Sequence, residues 1–175
     1  MNDGDDTTPV PASSEGPAQN WPVPDPPDEI YDPTEEGAEA ALRYWWELRV
    51  YARNTGDTEP LEEFSDEACE ICDLQIDRVQ EMYESGWFVQ EEDVLTGAWV
   101  RPMEWDDFED EAFAIFRLVE GGFDGYWEGS HLGKEPEGAE VAYAAHLQMS
   151  DHWTIHNFQI VDEYEEGRSE LEDAQ

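Results

Sequence analysis

The hydrophobic period of the chain changes near Gly86, and this change limits the folds that the chain can adopt. Upstream, apolar residues recur every three or four positions, as over Ala38–Ala52, which is typical of an amphipathic helix. Downstream, apolar and polar residues alternate, which is typical of half-buried strands. Helices followed by strands and short turns predict an α+β domain, with two N-terminal helices packed on a strongly curved antiparallel sheet.

Capping and turn residues set the expected element boundaries. Asp32 as N-cap, Pro33 in the first turn and Glu35 as the capping-box acid predict the start of the first helix, and Gly56 predicts its end. A second helix is predicted over Asp66–Glu84. The expected strands are Trp87–Gln90, Val94–Trp105, Glu111–Glu120, Ala139–Ser150 and Trp153–Val161.

The two ends of the chain differ in composition from its middle. Residues 1–31 hold seven of the eleven prolines, which predicts a disordered Pro-rich tether. Residues 163–175 are rich in acid and predict a disordered tail. A single α+β domain is therefore expected over residues 32–162.

The chain is strongly acidic, with 46 Asp and Glu against 8 Lys and Arg, for a formal net charge of −38. Its 8 Trp, 7 Tyr and 7 Phe are too many for a wholly disordered acidic chain, so a folded core under an anionic surface is expected. Such a surface repels nucleic acid and anionic membranes. We therefore expect no nucleic-acid partner, and the composition also fits a cytosolic protein of a salt-loving organism.

Two segments resemble a known family. The stretch "TEEGAEAALRYWWELRVYARNTGDTEPLEEFSDEACEIC" is similar to the opening of an actinobacterial lipoprotein family of unknown function. The stretch "HLQMSDHWTIHNFQIV" looks like the closing hairpin of the nuclear transport factor two-like superfamily. The resemblance implies a cone of helices on a bent sheet with a pocket between them. It also implies an exported protein held at the membrane only through a lipid-bearing cysteine, which this chain lacks. Members of that superfamily include pocket enzymes of ketosteroid isomerase or dehydratase type.

Both cysteines, Cys69 and Cys72, lie three positions apart in the second predicted helix. Neighbouring carboxylates such as Glu70 and Asp73 disfavour the thiolate that a redox centre requires. A zinc site needs about four ligands, and the histidines lie far downstream, so neither a metal nor a cofactor is expected. A disulfide and a reduced buried pair remain, and export favours the disulfide.

The pocket implied by the resemblance has aromatic and histidine candidates for its lining. They are Tyr44, Trp45, Tyr83, Trp99, His146 and His156. Acid–base catalysis needs an inward-facing base beside a donor, and the candidates are His146 and His156 as bases with Tyr44, Tyr83 or Tyr143 as donor. A three-residue turn centred on Asp151 brings the two histidines face to face, whereas a two-residue turn separates them. Core packing is the competing interpretation for the aromatic residues.

A Gly-rich loop is expected over residues 121–138, bearing Phe123, Tyr126 and Trp127. These aromatic residues either hold a partner or fold back onto the core. The resulting expectation is a cell-envelope domain, monomeric or homodimeric, that binds a small apolar ligand or a protein through the pocket or this loop. A pocket enzyme is the alternative.

Overall fold

A computed structural model describes residues 7–104 and 107–161 as two antiparallel sheets with three helices. The helices are α1 (Glu35–Thr55), α2 (Glu59–Glu63) and α3 (Glu70–Tyr83), preceded by a 3-10 turn over Asp28–Tyr31. The strands are β1 (Gly86–Gln90), β2 (Val94–Glu104), β3 (Asp107–Val119), β4 (Phe123–Trp127), β5 (Ser130–Glu135), β6 (Glu140–Met149) and β7 (Trp153–Ile160). The α+β class is thus confirmed.

The strands form two sheets where one curved sheet was predicted. The larger has the order β2-β3-β6-β7 and the smaller has the order β1-β4-β5. The smaller sheet exists because the predicted Gly-rich loop is a hairpin. Glu128 and Gly129 both have positive φ, 47° and 76°, which is the geometry of a two-residue hairpin turn that matches strand twist.

Helix α1 is the centre of the domain and contacts strands of both sheets. Its buried face contains Trp45 and Leu48, which are at most 1% exposed. From the larger sheet, Phe116 and Trp153 complete the same core. Two of the buried indoles have hydrogen-bond acceptors, since Trp45 Nε1 donates to Ser65 Oγ at 2.9 Å and Trp153 Nε1 donates to the Asp32 carbonyl at 2.8 Å.

The start of α1 differs from the prediction. Thr34, and not Asp32, is the N-cap, and its Oγ1 accepts from Gly37 N at 3.0 Å. The Asp32 carbonyl oxygen instead accepts a hydrogen bond from the Trp153 indole. A Cβ at Gly37 would collide with the carbonyl oxygens of Asp32 and Glu29, so glycine lets the preceding turn fold against the helix.

The N-terminal segment also differs from the predicted tether over its described part, residues 7–31. Ala18 N donates to the Asn54 carbonyl at 2.8 Å, and Tyr44 Oη donates to the Pro24 carbonyl at 2.7 Å. Ile30 is fully buried in the core. Prolines keep this segment extended, but its contacts make it part of the domain. The predicted tail over 163–175 lies outside the described residues.

Candidate functional site

An open cleft of about 430 Å³ lies between α1, α3 and the last two strands. Its lining is mostly apolar and aromatic, as is usual for ligand sites. The lining residues are Trp46 and Arg49 of α1, Ile71, Leu74, Gln75 and Arg78 of α3, and Glu120, Tyr143, Phe158, Gln159 and Ile160.

Helix α3 forms one wall because it carries two adjacent stripes. Cys72, Ile76 and Val79 are buried in the core. The neighbouring stripe, which includes Leu74 and Arg78, faces the cleft and is exposed. Leu74 is 43% exposed, and across the cleft Ile160 is 57% exposed. Two large apolar side chains therefore remain uncovered on opposite walls.

The floor of the cleft holds a closed network of charges. Buried Arg49 donates to the carboxylate of Asp93, to Glu120 Oε2 at 3.1 Å and to Gln75 Oε1 at 3.1 Å. Tyr143 Oη donates to Glu120 Oε1 at 3.1 Å. Burial and the nearby Glu120 raise the pKa of Tyr143 to about 12, so the phenol stays a neutral donor. These polar groups bind one another and leave the apolar surface above them.

Arg78 is the other cation of the cleft. Its guanidinium is exposed at the rim and forms no ion pair with the carboxylates that the structure describes. Its donors are thus available to an occupant of the cleft.

Strand β7 is an edge strand, and its final residues border the cleft. The first part of this edge is covered, since Ile155 N donates to the Phe64 carbonyl at 3.1 Å and Asp66 N donates to the Ile155 carbonyl at 2.8 Å. Beyond Ile155, no described segment pairs with this edge.

The pocket residues expected from the sequence do not come together in this cleft. Tyr44 and Trp45 are buried in the core. Tyr83 Oη donates to the Arg53 carbonyl at 2.9 Å. Trp99 is 54% exposed and lies on the sheet face that points away from the helices. Trp46 and the candidate donor Tyr143 line the cleft instead.

The two histidines meet, but on the outer face of the larger sheet. The hairpin has the three-residue turn, with Met149 paired to Trp153, and a bulge beside His146. The rings of His146 and His156 lie 4.8 Å apart. His146 Nε2 is 3.6 Å from Glu111 Oε2, and His156 Nδ1 is 3.2 Å from Asp66 Oδ1. Strand alternation places this pair on the opposite side of the sheet from Tyr143, so it does not share a site with Tyr143, one of the three candidate donors.

The aromatic residues of the predicted loop are strand residues packed on their neighbours. Tyr126 stacks on Trp87 with ring centroids 4.9 Å apart. The guanidinium carbon of Arg53 lies 4.0 Å from the Phe88 ring centroid and 4.5 Å from that of Phe123. Phe123, Tyr126 and Trp127 of the predicted loop are half-buried.

The cysteine pair is a disulfide. Cys69 and Cys72 are bonded and both are fully buried. Cys69 is also the N-cap of α3, since its Sγ accepts from Cys72 N at 3.3 Å. The helix therefore starts at Glu70, four residues later than predicted.

The residues that the structure describes hold no group of three or more His, Cys, Asp or Glu side chains arranged for a metal ion. Among the helices over 7–104 and 107–161, none combines the length and apolar character needed to cross a membrane.

Sequence reasoning missed Leu74, Arg78 and Ile160 as site residues. Leu74 and Arg78 share a stripe with Ile71 that is offset from the core stripe, and this second stripe was the available signal. The position of Ile160 at an open edge depends on strand order, which the sequence does not reveal.

Comparisons with known proteins place the chain in a family and support its fold. The profile of a family of unknown function (DUF6318) matches residues 7–109. No curated protein matches the chain. Among solved structures, the crystal structure of the intermembrane space region of the chloroplast protein ARC6 is similar, with a TM-score of 0.53 and 13% identity. The similarity covers 73% of this chain and 96% of that one, and at this identity it shows the fold alone.

Proposed function

This chain belongs to the family of unknown function DUF6318, and we propose that its domain is a non-enzymatic binding module. The proposed site is the cleft between α1, α3 and β7. The observation that carries the proposal is the exposure of Leu74 and Ile160 on opposite walls, above charged groups that already bind one another. Exposure of this apolar surface to water costs free energy, and an apolar group of a partner that covered the surface would remove that cost.

The polar network supports binding in preference to acid–base chemistry. Arg49 and Tyr143 are held by carboxylates, and burial raises the pKa of Tyr143 further from neutrality. A general acid or base works best with a pKa near the operating pH. The network is thus suited to fixing the shape of the cleft floor.

We also propose that the domain works outside the cytoplasm, as part of an actinobacterial envelope lipoprotein with a nuclear transport factor two-like fold. The disulfide between Cys69 and Cys72 supports an oxidising compartment. Because both cysteines are fully buried, free-thiol labelling is done on protein denatured directly from intact cells and from cell fractions, with and without prior reduction. Thiols that become labelled only after reduction are expected, and two reactive thiols in the unreduced, denatured protein would contradict export.

The binding proposal is tested with 8-anilinonaphthalene-1-sulfonate, which combines an apolar ring system with an anionic group. We expect its fluorescence to rise with wild-type protein and to fall at least about fivefold with Leu74→Glu, which places a charge in the cleft. The matched control is Leu132→Glu, because Leu132 is 63% exposed on β5 and outside the cleft. No binding by the wild type, or equal binding by both variants, would overturn the proposal.

A further inference from the structure

We infer that the cleft takes an extended peptide segment of a partner protein, which adds as a fifth strand to the open edge of β7. This inference rests on the proposed binding function and names the class of its partner. It combines three observations: unpaired backbone at the edge, apolar side chains directly above it, and carboxylates along the rim.

The backbone of β7 has an alternating pattern of paired and unpaired groups. Val161 N donates to the Ala142 carbonyl at 2.9 Å, so residue 161 points towards β6. Adjacent residues of a strand point their backbone groups to opposite sides. The amide and carbonyl groups of Phe158 and Ile160 therefore point away from β6, where the described part of the chain offers them no partner. Unpaired edge groups are a template for another strand.

The protein already uses this edge for strand pairing. Ser65 forms a parallel bridge with Ile155, through the two hydrogen bonds that join Phe64 and Asp66 to it. After this bridge the chain continues into α3 and leaves the rest of the β7 edge open. An incoming strand would continue along the same line, next to Phe158 and Ile160.

The cleft supplies side-chain contacts for such a strand. The side chains of Phe158 and Ile160 line the cleft, and residues of an added strand at the same level share that face. Every second side chain of the peptide would therefore lie beneath Leu74 and Ile71. Backbone pairing gives affinity in this binding mode, and the side-chain pocket gives specificity.

Charge selects the rest of the peptide sequence. Asp73 and Asp77 are exposed beside the cleft-facing stripe of α3, and the whole chain carries a formal net charge of −38. This field favours a segment with Lys or Arg at its ends. Arg78 can donate to a main-chain carbonyl of the segment. The expected partner sequence thus has apolar residues at alternate positions and basic flanks.

The test uses a synthetic library of acetylated, amidated heptapeptides. Each has Lys at both ends, Val, Ile, Leu or Phe at positions two, four and six, and Thr at positions three and five. We expect at least one member to bind wild-type protein and to slow hydrogen exchange at the amides of Phe158 and Ile160. Failure of every member to bind, or protection confined to other amides, would overturn the inference.

Two matched comparisons test the backbone pairing itself. The amides of the bound peptide alternately face β7 and point away from it. N-methylation of the tightest peptide should weaken binding about tenfold at the amides that face β7, and much less at the amides that point away. In the protein, Ile160→Pro removes an outward-facing donor and part of a cleft-lining side chain. It should weaken peptide binding more than its control Ile160→Ala, which shortens the same side chain and keeps the donor. Equal effects of methylation at the two sets of amides would contradict strand addition.

Failure of this inference is distinguishable from failure of the binding proposal. If the naphthalene probe binds in a Leu74-dependent way and no peptide binds, the cleft binds an apolar ligand that is not an extended segment. If a peptide binds equally well to wild type and Leu74→Glu, and the naphthalene probe ignores the same substitution, both proposals fail.

Discussion

Arg49 and Asp93 form an ion pair in which the Asp93 side chain has no exposure and the Arg49 side chain is 6% exposed. The pair joins the middle of α1 to the segment between β1 and β2, and therefore connects the helix to both sheets. Asp93 Oδ1 also accepts from Gly121 N at 3.0 Å, next to the start of the hairpin. Arg49, which lines the proposed binding cleft, is thus held by a buried carboxylate that lies between strands of the two sheets.

Removing Asp93 should be strongly destabilising. Asp93→Ala removes the buried one of the two carboxylates that pair with the Arg49 guanidinium. Breaking a buried ion pair typically costs about 3–5 kcal/mol. Urea unfolding of wild type and variant gives the difference in free energy of unfolding. The control is Glu39→Ala, which removes an exposed ion pair with Arg43. The Glu39 side chain is 35% exposed and the Arg43 side chain 43%, so the loss should be below about 1 kcal/mol. Similar losses for the two variants would show that the Arg49 pair is not structural.

The N-terminal segment should contribute to stability. Ile30→Ala removes a fully buried side chain and should cost about 2–5 kcal/mol. Val23→Ala, at a residue 43% exposed in the same segment, should change the free energy of unfolding by less than about 1 kcal/mol. Equal stability of Ile30→Ala and the wild type, measured by thermal and urea unfolding, would restore the interpretation of a free tether.

The disulfide should add little stability because its loop is short. The chain-entropy account gives about 1–2 kcal/mol for a loop this small. Mass spectrometry without reductant should find a mass lower by two hydrogen atoms than that of the reduced protein. Cys69→Ala/Cys72→Ala should then lower the free energy of unfolding by about that amount, plus the loss of the sulfur cap on α3. Unchanged mass after reduction would mean that the pair is not bonded.

Alkaline pH should destabilise the fold through its buried phenols. Burial, aided by nearby carboxylates, raises the pKa of Tyr44 and of Tyr143 from 10.0 to about 12. A raised folded-state pKa gives stability that is complete below pH 10 and is lost as the pH rises through 12. Tyr44→Phe/Tyr143→Phe should therefore lose less stability than wild type between pH 9 and pH 11, measured by urea unfolding. Parallel pH profiles would refute this assignment.

Local sequence rules predicted much of the fold. The capping residues and the helical hydrophobic period predicted α1. The alternation of apolar and polar residues located five of the seven described strands to within a few residues. The turn of the last hairpin was one of two stated alternatives, and the bulge next to His146 was not predicted. The hairpin turn at Glu128 and Gly129 was not predicted. Glu128 has positive φ, and Glu is not one of the residues that usually mark such a turn in a sequence.

Other features could not be predicted because they depend on tertiary contacts. Trp99 lies between two other apolar residues, Ala98 and Val100, so the sequence does not say which side chains face inward, and only strand order and sheet packing decide which face meets α1. The cleft arises where α3 leaves the edge of β7 uncovered, and no short stretch of sequence contains both walls. Proline content predicted an extended N-terminal segment without revealing that Ile30 anchors it.

The most direct test of the account is amide chemical-shift mapping of the ¹⁵N-labelled protein, titrated with the naphthalene probe and with the tightest library peptide. The account predicts that the largest shifts occur in α3 over residues 71–78 and in β7 over residues 157–160. Shifts concentrated instead around Trp99 on the outer face of the larger sheet, with α3 and the β7 edge unchanged, would contradict it.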